Sequence, residues 1–356
     1  MEKVEDLFLK MLIHRKEWDK FLTDLHLNVS NSSEIETIDE TVAIFAKNGE
    51  VLATGSIAGN VIKYVATCTK GEQSAGERFN KIITELMNRL AQKGIYHVFV
   101  FTKPMYAKSF GYLGFKELAR AEQGVLLEKG RPNITDFLSS LTEKKLVPAG
   151  AKKIAAVVMN ANPFTLGHCY LVEQAAAEND FVYVFVVSTD RSLFRADERL
   201  DLVKKGLSAL TNVSVVSGGD YLVSFATFPA YFIQSDEEVM DFQTQIDARI
   251  FKNWFVEALG ITTRYLGAEP FSKTTSIYNQ QLTEVLSDVI DVKIIERKKA
   301  DDNEEIISAT AVRAAIATNQ LEKIRNFVPE TTFEFIEQHL QELQARIKGG
   351  QKTNGN

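Results

Sequence analysis

The spacing of apolar residues changes near the middle of the chain. An amphipathic stretch opens the first half at residues 4–13. Apolar runs at 41–47 and 51–57 flank Asn48-Gly49, a dipeptide suited to the positive φ angles of a tight hairpin. A third strand is predicted over 61–67. Phe79, Ile82, Ile83, Leu86, Met87 and Leu90 then recur at helical period, predicting a helix over 76–92. A strand at 96–101, a short helix at 105–111 and a strand at 115–119 follow. Strands gathered early with few helices predict an α+β domain on a mostly antiparallel sheet. The second half opens on 154–159, a continuous apolar run of the kind buried on both faces of a parallel sheet. Predicted helices at 167–178, 196–210, 237–259, 276–286 and 310–318 alternate with strands at 181–187, 213–216, 264–266 and 292–295. Ile336, Leu340, Leu343 and Ile347 mark a last packing helix. This alternation predicts an α/β, Rossmann-like, doubly wound parallel sheet, which places ligands at the carboxyl ends of its strands. Pro148 and Gly150 lie between the two patterns and divide the chain into domains 1–145 and 146–356.

Composition narrows the function without changing this picture. With 45% hydrophobic and 25% charged residues, the 356-residue chain is an ordinary folded protein. Its net charge of −6 argues against nucleic acid as a partner. The two cysteines, Cys68 and Cys169, have no metal-ligand spacing, which predicts a reducing compartment and no structural zinc. The acidic opening has no signal-peptide pattern and no apolar run approaches a membrane span, so a cytoplasmic protein is expected.

Two segments carry the candidate chemistry. Asn160-Ala161-Asn162-Pro163-Phe164-Thr165-Leu166-Gly167-His168 leaves a buried strand and opens a helix. Free amides and the positive dipole end of a helix start suit phosphate. Gly167 lets a ligand approach the backbone, and His168 can donate to phosphate or to a departing pyrophosphate. Far downstream, Ile307-Ser308-Ala309-Thr310-Ala311-Val312-Arg313 opens another helix. Ser308 and Thr310 can cap it, and Arg313 one turn in can fork onto phosphate oxygens. Arg191, Arg195 and Arg199 either line a triphosphate or form a solvated helix face, and Lys273 is a further candidate contact.

These segments resemble the (H/T)-x-G-H and I-S-S/A-T-x-x-R signatures of the nucleotidyltransferase superfamily. Further matches at Tyr170–Ala176, Val187–Phe194 with Arg199, Ala226–Phe232 and Gly267–Phe271 with Tyr278-Asn279 make nearly the whole chain similar to the citrate lyase ligase family. Gly71, Gln73 and Gly76 after a strand, with Tyr106 and Phe110–Phe115 downstream, resemble the GNAT acetyltransferase fold, in which a glycine-rich turn holds coenzyme A. The resemblance implies catalytic roles for His168, Thr165 and Arg313. It implies ATP contacts at Asn160, Ala161, Asn162, Phe164, Gly167, Ser308, Thr310 and Arg199, and contacts to a coenzyme A-like group at Gly71, Gln73 and Gly76. It further implies ATP with Mg²⁺ on its phosphates, acetate as the acid, and the acyl-carrier subunit of citrate lyase as partner. Acetyl-adenylate would form first, and a thiol of the carrier's prosthetic group would then take the acetyl and release AMP. Two alternatives stay open: an adenylyltransferase acting on a mononucleotide-type phosphate, and a GNAT-type acetyltransferase or noncatalytic nucleotide-binding module.

Overall fold

The computed structural model describes residues 3–27, 35–70, 74–188, 192–222, 236–268, 273–296 and 307–350. The chain divides into two units: Met1–Asp136 with Pro229–Ile246, and Phe137–Phe228 with Asp247–Asn356.

The first unit is an α+β fold on a seven-stranded sheet. Its strands are β1 (Val4–Asp6), β2 (Glu40–Phe45), β3 (Val51–Ala58), β4 (Val61–Thr67), β5 (His97–Thr102), β6 (Lys116–Arg120) and β7 (Val125–Gly130), in the order β1-β2-β3-β4-β5-β7-β6. Its first helices are α1 (Leu12–Asp24), α2 (Ala75–Gln92) and α3 (Ala107–Tyr112). The amphipathic stretch expected at 4–13 is instead an edge strand followed by the first residues of a longer helix. Neighbouring strands are antiparallel except β4 and β5, which pair in parallel only at Val61–Phe99 and Ile62–Val100. Beyond those pairs β4 continues to Thr67 and β5 to Thr102 without bonding to each other. The hairpin turn forms at Asn48-Gly49, but of the two only Gly49 takes the positive φ expected of the pair, at +87°. α2 lies close over β3 because Gly55 has no side chain: a Cβ there would meet Ile82 at 2.7 Å and Leu86 at 2.8 Å. On α1, Trp18 is fully buried and its indole N–H donates to Thr54 Oγ1 at 3.0 Å.

α4 (Ile134–Thr142) spans the division. The second unit contains β8 (Ile154–Met159), α5 (Leu166–Glu178), β9 (Phe181–Val186), α6 (Ala196–Gly206) and β10 (Val213–Ser217). The helix expected at 237–259 is α7 (Asp236–Ile250), a π-helical turn Phe251–Phe255, and α8 (Val256–Leu259). Then come β11 (Thr263–Gly267), α9 (Lys273–Leu286), β12 (Asp291–Ile295), α10 (Ala309–Thr318), α11 (Glu330–Gln338) and α12 (Leu340–Lys348). All five strands are parallel, in the order β10-β9-β8-β11-β12. β8 is central and its neighbours are wound outward in both directions. The switch of direction falls between β8 and β11, so the loop leaving β8 overlies the crevice where doubly wound sheets bind ligands. Ala155, Val157 and Met159 of β8 pack with Val172 of α5 and Val312 of α10 in one core.

No helix among the described residues is long and apolar enough to cross a membrane.

Candidate active site

β8 ends at Met159, and the chain reaches α5 through residues 160–165. Ala161 sits at φ +50°, a left-handed conformation that a side chain disfavours. The loop is therefore held from outside. Arg199, fully buried on α6, gives its Nε–H to Phe194 O at 3.1 Å. Its Nη1 donates to Asn160 O at 2.7 Å, Asn160 Oδ1 at 2.9 Å and Val187 O at 2.6 Å. Arg313, fully buried on α10, donates to Asn162 O at 2.5 Å and to Thr310 Oγ1 at 3.0 Å. Burial lowers the Arg313 pKa to about 10, which leaves it cationic at neutral pH. Asn162 Oδ1 accepts from Phe194 N at 3.1 Å, and Asn160 Nδ2 reaches Ser192 Oγ at 3.3 Å. The solvated helix face read as one option for Arg199 is overturned, since its guanidinium lies inside the protein. Arg313 is likewise enclosed rather than solvated. Arg195 is exposed and pairs with Glu342 at 3.4 Å.

Thr165 is the N-cap of α5. Its Oγ1 accepts from the His168 amide at 3.4 Å, while the Thr165 amide donates to His168 Nδ1 at 3.1 Å. Nδ1 thus serves as acceptor, and the neutral ring carries its proton on Nε2. The ring stacks on Phe164, 5.8 Å between centroids at 15°. Phe164 is fully buried, and its ring packs so closely on Gly206 that a Cβ there would lie 2.5 Å from it. Gly167 is different. A Cβ there would meet nothing closer than Thr165 Oγ1 at 3.6 Å, so the protein's own packing does not require glycine.

The structure brings the two motifs together. The same Cβ on Gly167 would lie 3.8 Å from Ile307 O, immediately before the α10 N-cap Ser308. Ser308 Oγ accepts the Ala311 amide at 3.1 Å. The Leu166 amide donates to Phe327 O at 2.8 Å. Among the described residues, the amides of Gly167, Ala309 and Thr310 have no protein acceptor. Two helix starts with unclaimed N–H groups therefore converge beside His168, an arrangement suited to an anion. Phe327 was invisible to sequence reasoning, because a carbonyl acceptor leaves no mark on residue type.

In the first unit, Gly76 is the second residue of α2. The N-cap Ser74 accepts from the Glu77 amide at 3.2 Å, and Glu77 returns the bond to the Ser74 amide at 2.9 Å. A Cβ on Gly76 would find only Ser74 Oγ, at 4.0 Å. Gly71, Gln73 and Arg191 lie outside the described residues, as does the Lys273 side chain. No group of three or more His, Cys, Asp or Glu side chains able to hold a metal occurs among the described residues.

Residues 154–336 match the profile of the citrate lyase ligase C-terminal domain. A [citrate [pro-3S]-lyase] ligase of Escherichia coli (strain K12) is 34% identical over 355 residues, 98% of each chain. One from Haemophilus influenzae is 34% identical over 336 residues, covering 93% of this chain and 98% of its own. The solved N-acetyltransferase of Staphylococcus aureus Mu50 covers 37% of this chain and 99% of its own, at 12% identity and a TM-score of 0.30.

Proposed function

The chain belongs to the citrate lyase ligase family, and from that premise we propose that it activates acetate with ATP and acetylates the acyl-carrier subunit of citrate lyase. The observation that carries the first half-reaction is the convergence of the α5 and α10 starts beside His168. An acetate oxygen attacks the α-phosphorus of ATP. The bond to the bridging oxygen breaks, and acetyl-adenylate and pyrophosphate result. The Gly167, Ala309 and Thr310 amides receive phosphate oxygens. His168 Nε2–H stabilises charge on the departing pyrophosphate, with Thr165 fixing the ring through Nδ1. Phe164 stacks under that ring. Asn160, Ala161 and Asn162 shape the loop against the nucleotide, and Ser308 and Thr310 set the start of α10. Arg199 and Arg313 hold this frame and add positive charge behind it. Mg²⁺ enters with ATP, carried by its phosphates.

In the second half-reaction, a thiolate of the carrier's prosthetic group attacks the acetyl carbonyl carbon. The acyl–phosphate oxygen bond breaks, giving a thioester and AMP. Residues 146–356 perform the activation, and residues 1–145 receive the prosthetic arm. Support for the second role is the parting of β4 from β5, which leaves an extended opening at the carboxyl ends of a parallel pair. Gly71 and Gln73 lie in sequence between β4 and α2, and Gly76 is the second residue of α2.

ATP–pyrophosphate exchange tests the reading. Exchange that depends on acetate supports it. Exchange that needs a phosphorylated acceptor instead indicates an adenylyltransferase, and no exchange indicates a noncatalytic nucleotide module.

A further inference from the structure

Burial is costly to leave incomplete, and the first unit leaves large apolar side chains exposed at Phe8 and Met11–Ile13 and again in the segment that follows β5. A 3₁₀ turn, Pro104–Tyr106, leads from β5 into α3. Met105 is 72% exposed, Tyr106 48% and Tyr112 77%. Beneath them the support is firm. Ala107 and Phe110 of α3 are buried, and the Phe110 ring meets Phe79 edge-on at 4.9 Å and Phe115 at 5.4 Å. The exposed side chains therefore stand on a packed platform.

The charge around them has one sign. Residues 103–116 contain Lys103, Lys108 and Lys116 and no carboxylate. Lys108 Nζ lies 5.7 Å over the Tyr112 ring. Lys129 Nζ donates to Leu113 O at 2.6 Å and lies 5.6 Å over Phe115. The nearest carboxylate in sequence, Glu117, is already bound to Arg120 at 2.5 Å. Exposed Met and Tyr on a segment whose charges are all lysines match a partner that presents an apolar spot flanked by carboxylates. The patch also begins where β5 ends, beside the opening between β4 and β5.

We propose that this surface is the docking site for the body of the acyl-carrier subunit, which offers it an acidic face while its prosthetic arm enters the neighbouring opening. The inference rests on the carrier being the acetyl acceptor, as proposed above. It adds where the carrier is held and what chemistry its surface presents. Docking on Met105, Tyr106 and Tyr112 supplies binding that the arm alone does not, and the lysines steer the approach.

The test compares acetyl transfer to the intact carrier with transfer to free pantetheine, using the full-length protein. In a Lys103→Glu/Lys108→Glu double variant, KM for the carrier rises about tenfold or more while kcat holds. KM for pantetheine and acetate-dependent exchange stay at wild-type values. Tyr112→Ser, a change at an exposed position, raises the carrier KM in the same direction. Raised salt lifts the wild-type carrier KM and leaves that of the double variant nearly flat. An unchanged carrier KM in both variants overturns the proposal. So does an equal rise for pantetheine, which would place the effect in the arm's opening. Wild-type self-association that the double variant loses would assign the surface to a second copy of the chain. If the wild-type protein exchanges pyrophosphate yet never acetylates the carrier, the underlying reading of the acceptor fails first.

Discussion

Two helix starts in this protein share one design and differ in charge at the third helical position. α5 has Thr165 as cap, Gly167 at the second helical position and His168 at the third. α2 has Ser74 as cap, Gly76 at the second position and Glu77 at the third. In both, the third residue's side chain reaches back to the cap's amide. In α2 that side chain is a carboxylate, so the positive end of the helix already faces a negative charge of its own. In α5 it is an imidazole, and the dipole remains available to an outside anion. The surroundings differ in the same sense. The α5 loop is clamped by two buried arginines and meets a second helix start. At the α2 start, Ser74, Gly76 and Glu77 are exposed. The comparison supports the phosphate seat proposed for the second unit, and for the first unit the proposed hold on an arm whose affinity comes largely from elsewhere.

The clamp is where the comparison can be broken most forcefully. Arg199→Ala removes the donor to Phe194, Asn160 and Val187 carbonyls from a buried site, at a cost of about 3–5 kcal/mol. Urea unfolding followed by circular dichroism reads the loss. Arg313→Ala acts the same way through Asn162 O, and Arg313→Lys recovers little, because a single ammonium cannot serve Asn162 O and Thr310 Oγ1 in their fixed geometry. Either alanine variant unfolding at the wild-type midpoint would show that the loop does not depend on its clamp.

His168→Ala is next. The ring is only half-buried, stacked on Phe164 and held by Thr165, so the fold is expected to survive its removal. Acetate-dependent exchange falls about a hundredfold, equivalent to roughly 3 kcal/mol of transition-state stabilisation. Exchange within a few-fold of wild type would remove the imidazole from the reaction. Gly55→Ala is the control in the first unit. Its Cβ would press Ile82 and Leu86 inside 3 Å, which costs about 1–3 kcal/mol of stability. Exchange per folded molecule should not change.

Much of this was legible beforehand for a specific reason. Thr165–His168 and Ile307–Arg313 each combine a cap, small residues and a following helical pattern, and those local signals survive folding. The arginines were harder. Arg199 sits on an amphipathic helix, but its acceptors come from positions 160, 187 and 194, brought together only by the sheet. Periodicity places Arg199 on a helix face without saying what that face covers. β7 was missed because Val125, Leu126, Leu127 and Glu128 are all buried, so the strand shows no alternation, and its carboxylate is hidden by a bond to His97 at 2.8 Å. α1 was missed because Leu12 and Ile13 at its start are exposed, so they blur the amphipathic pattern. The inclusion of 229–246 with the first unit has no local sequence signal at all.

The smallest expected effects make the finest test of the two helix starts. Neither Gly167 nor Gly76 is required by packing, since an added Cβ finds neighbours only at 3.6 Å and 4.0 Å respectively. Glycine inside a helix costs up to about 1 kcal/mol relative to alanine. Gly167→Ala and Gly76→Ala should therefore each leave stability unchanged or slightly raised. Their functional effects should separate. A methyl group at 167 intrudes where phosphate approaches the α5 amides, so KM for ATP rises several-fold in exchange and KM for the carrier stays put. A methyl at 76 leaves exchange untouched and raises KM for the carrier modestly, because Glu77 already makes that helix start a poor phosphate seat. If both variants raise KM for ATP, or if Gly76→Ala weakens the carrier as much as Gly167→Ala weakens ATP, the third position does not distinguish the two helix starts and the carboxylate of Glu77 is not what sets them apart.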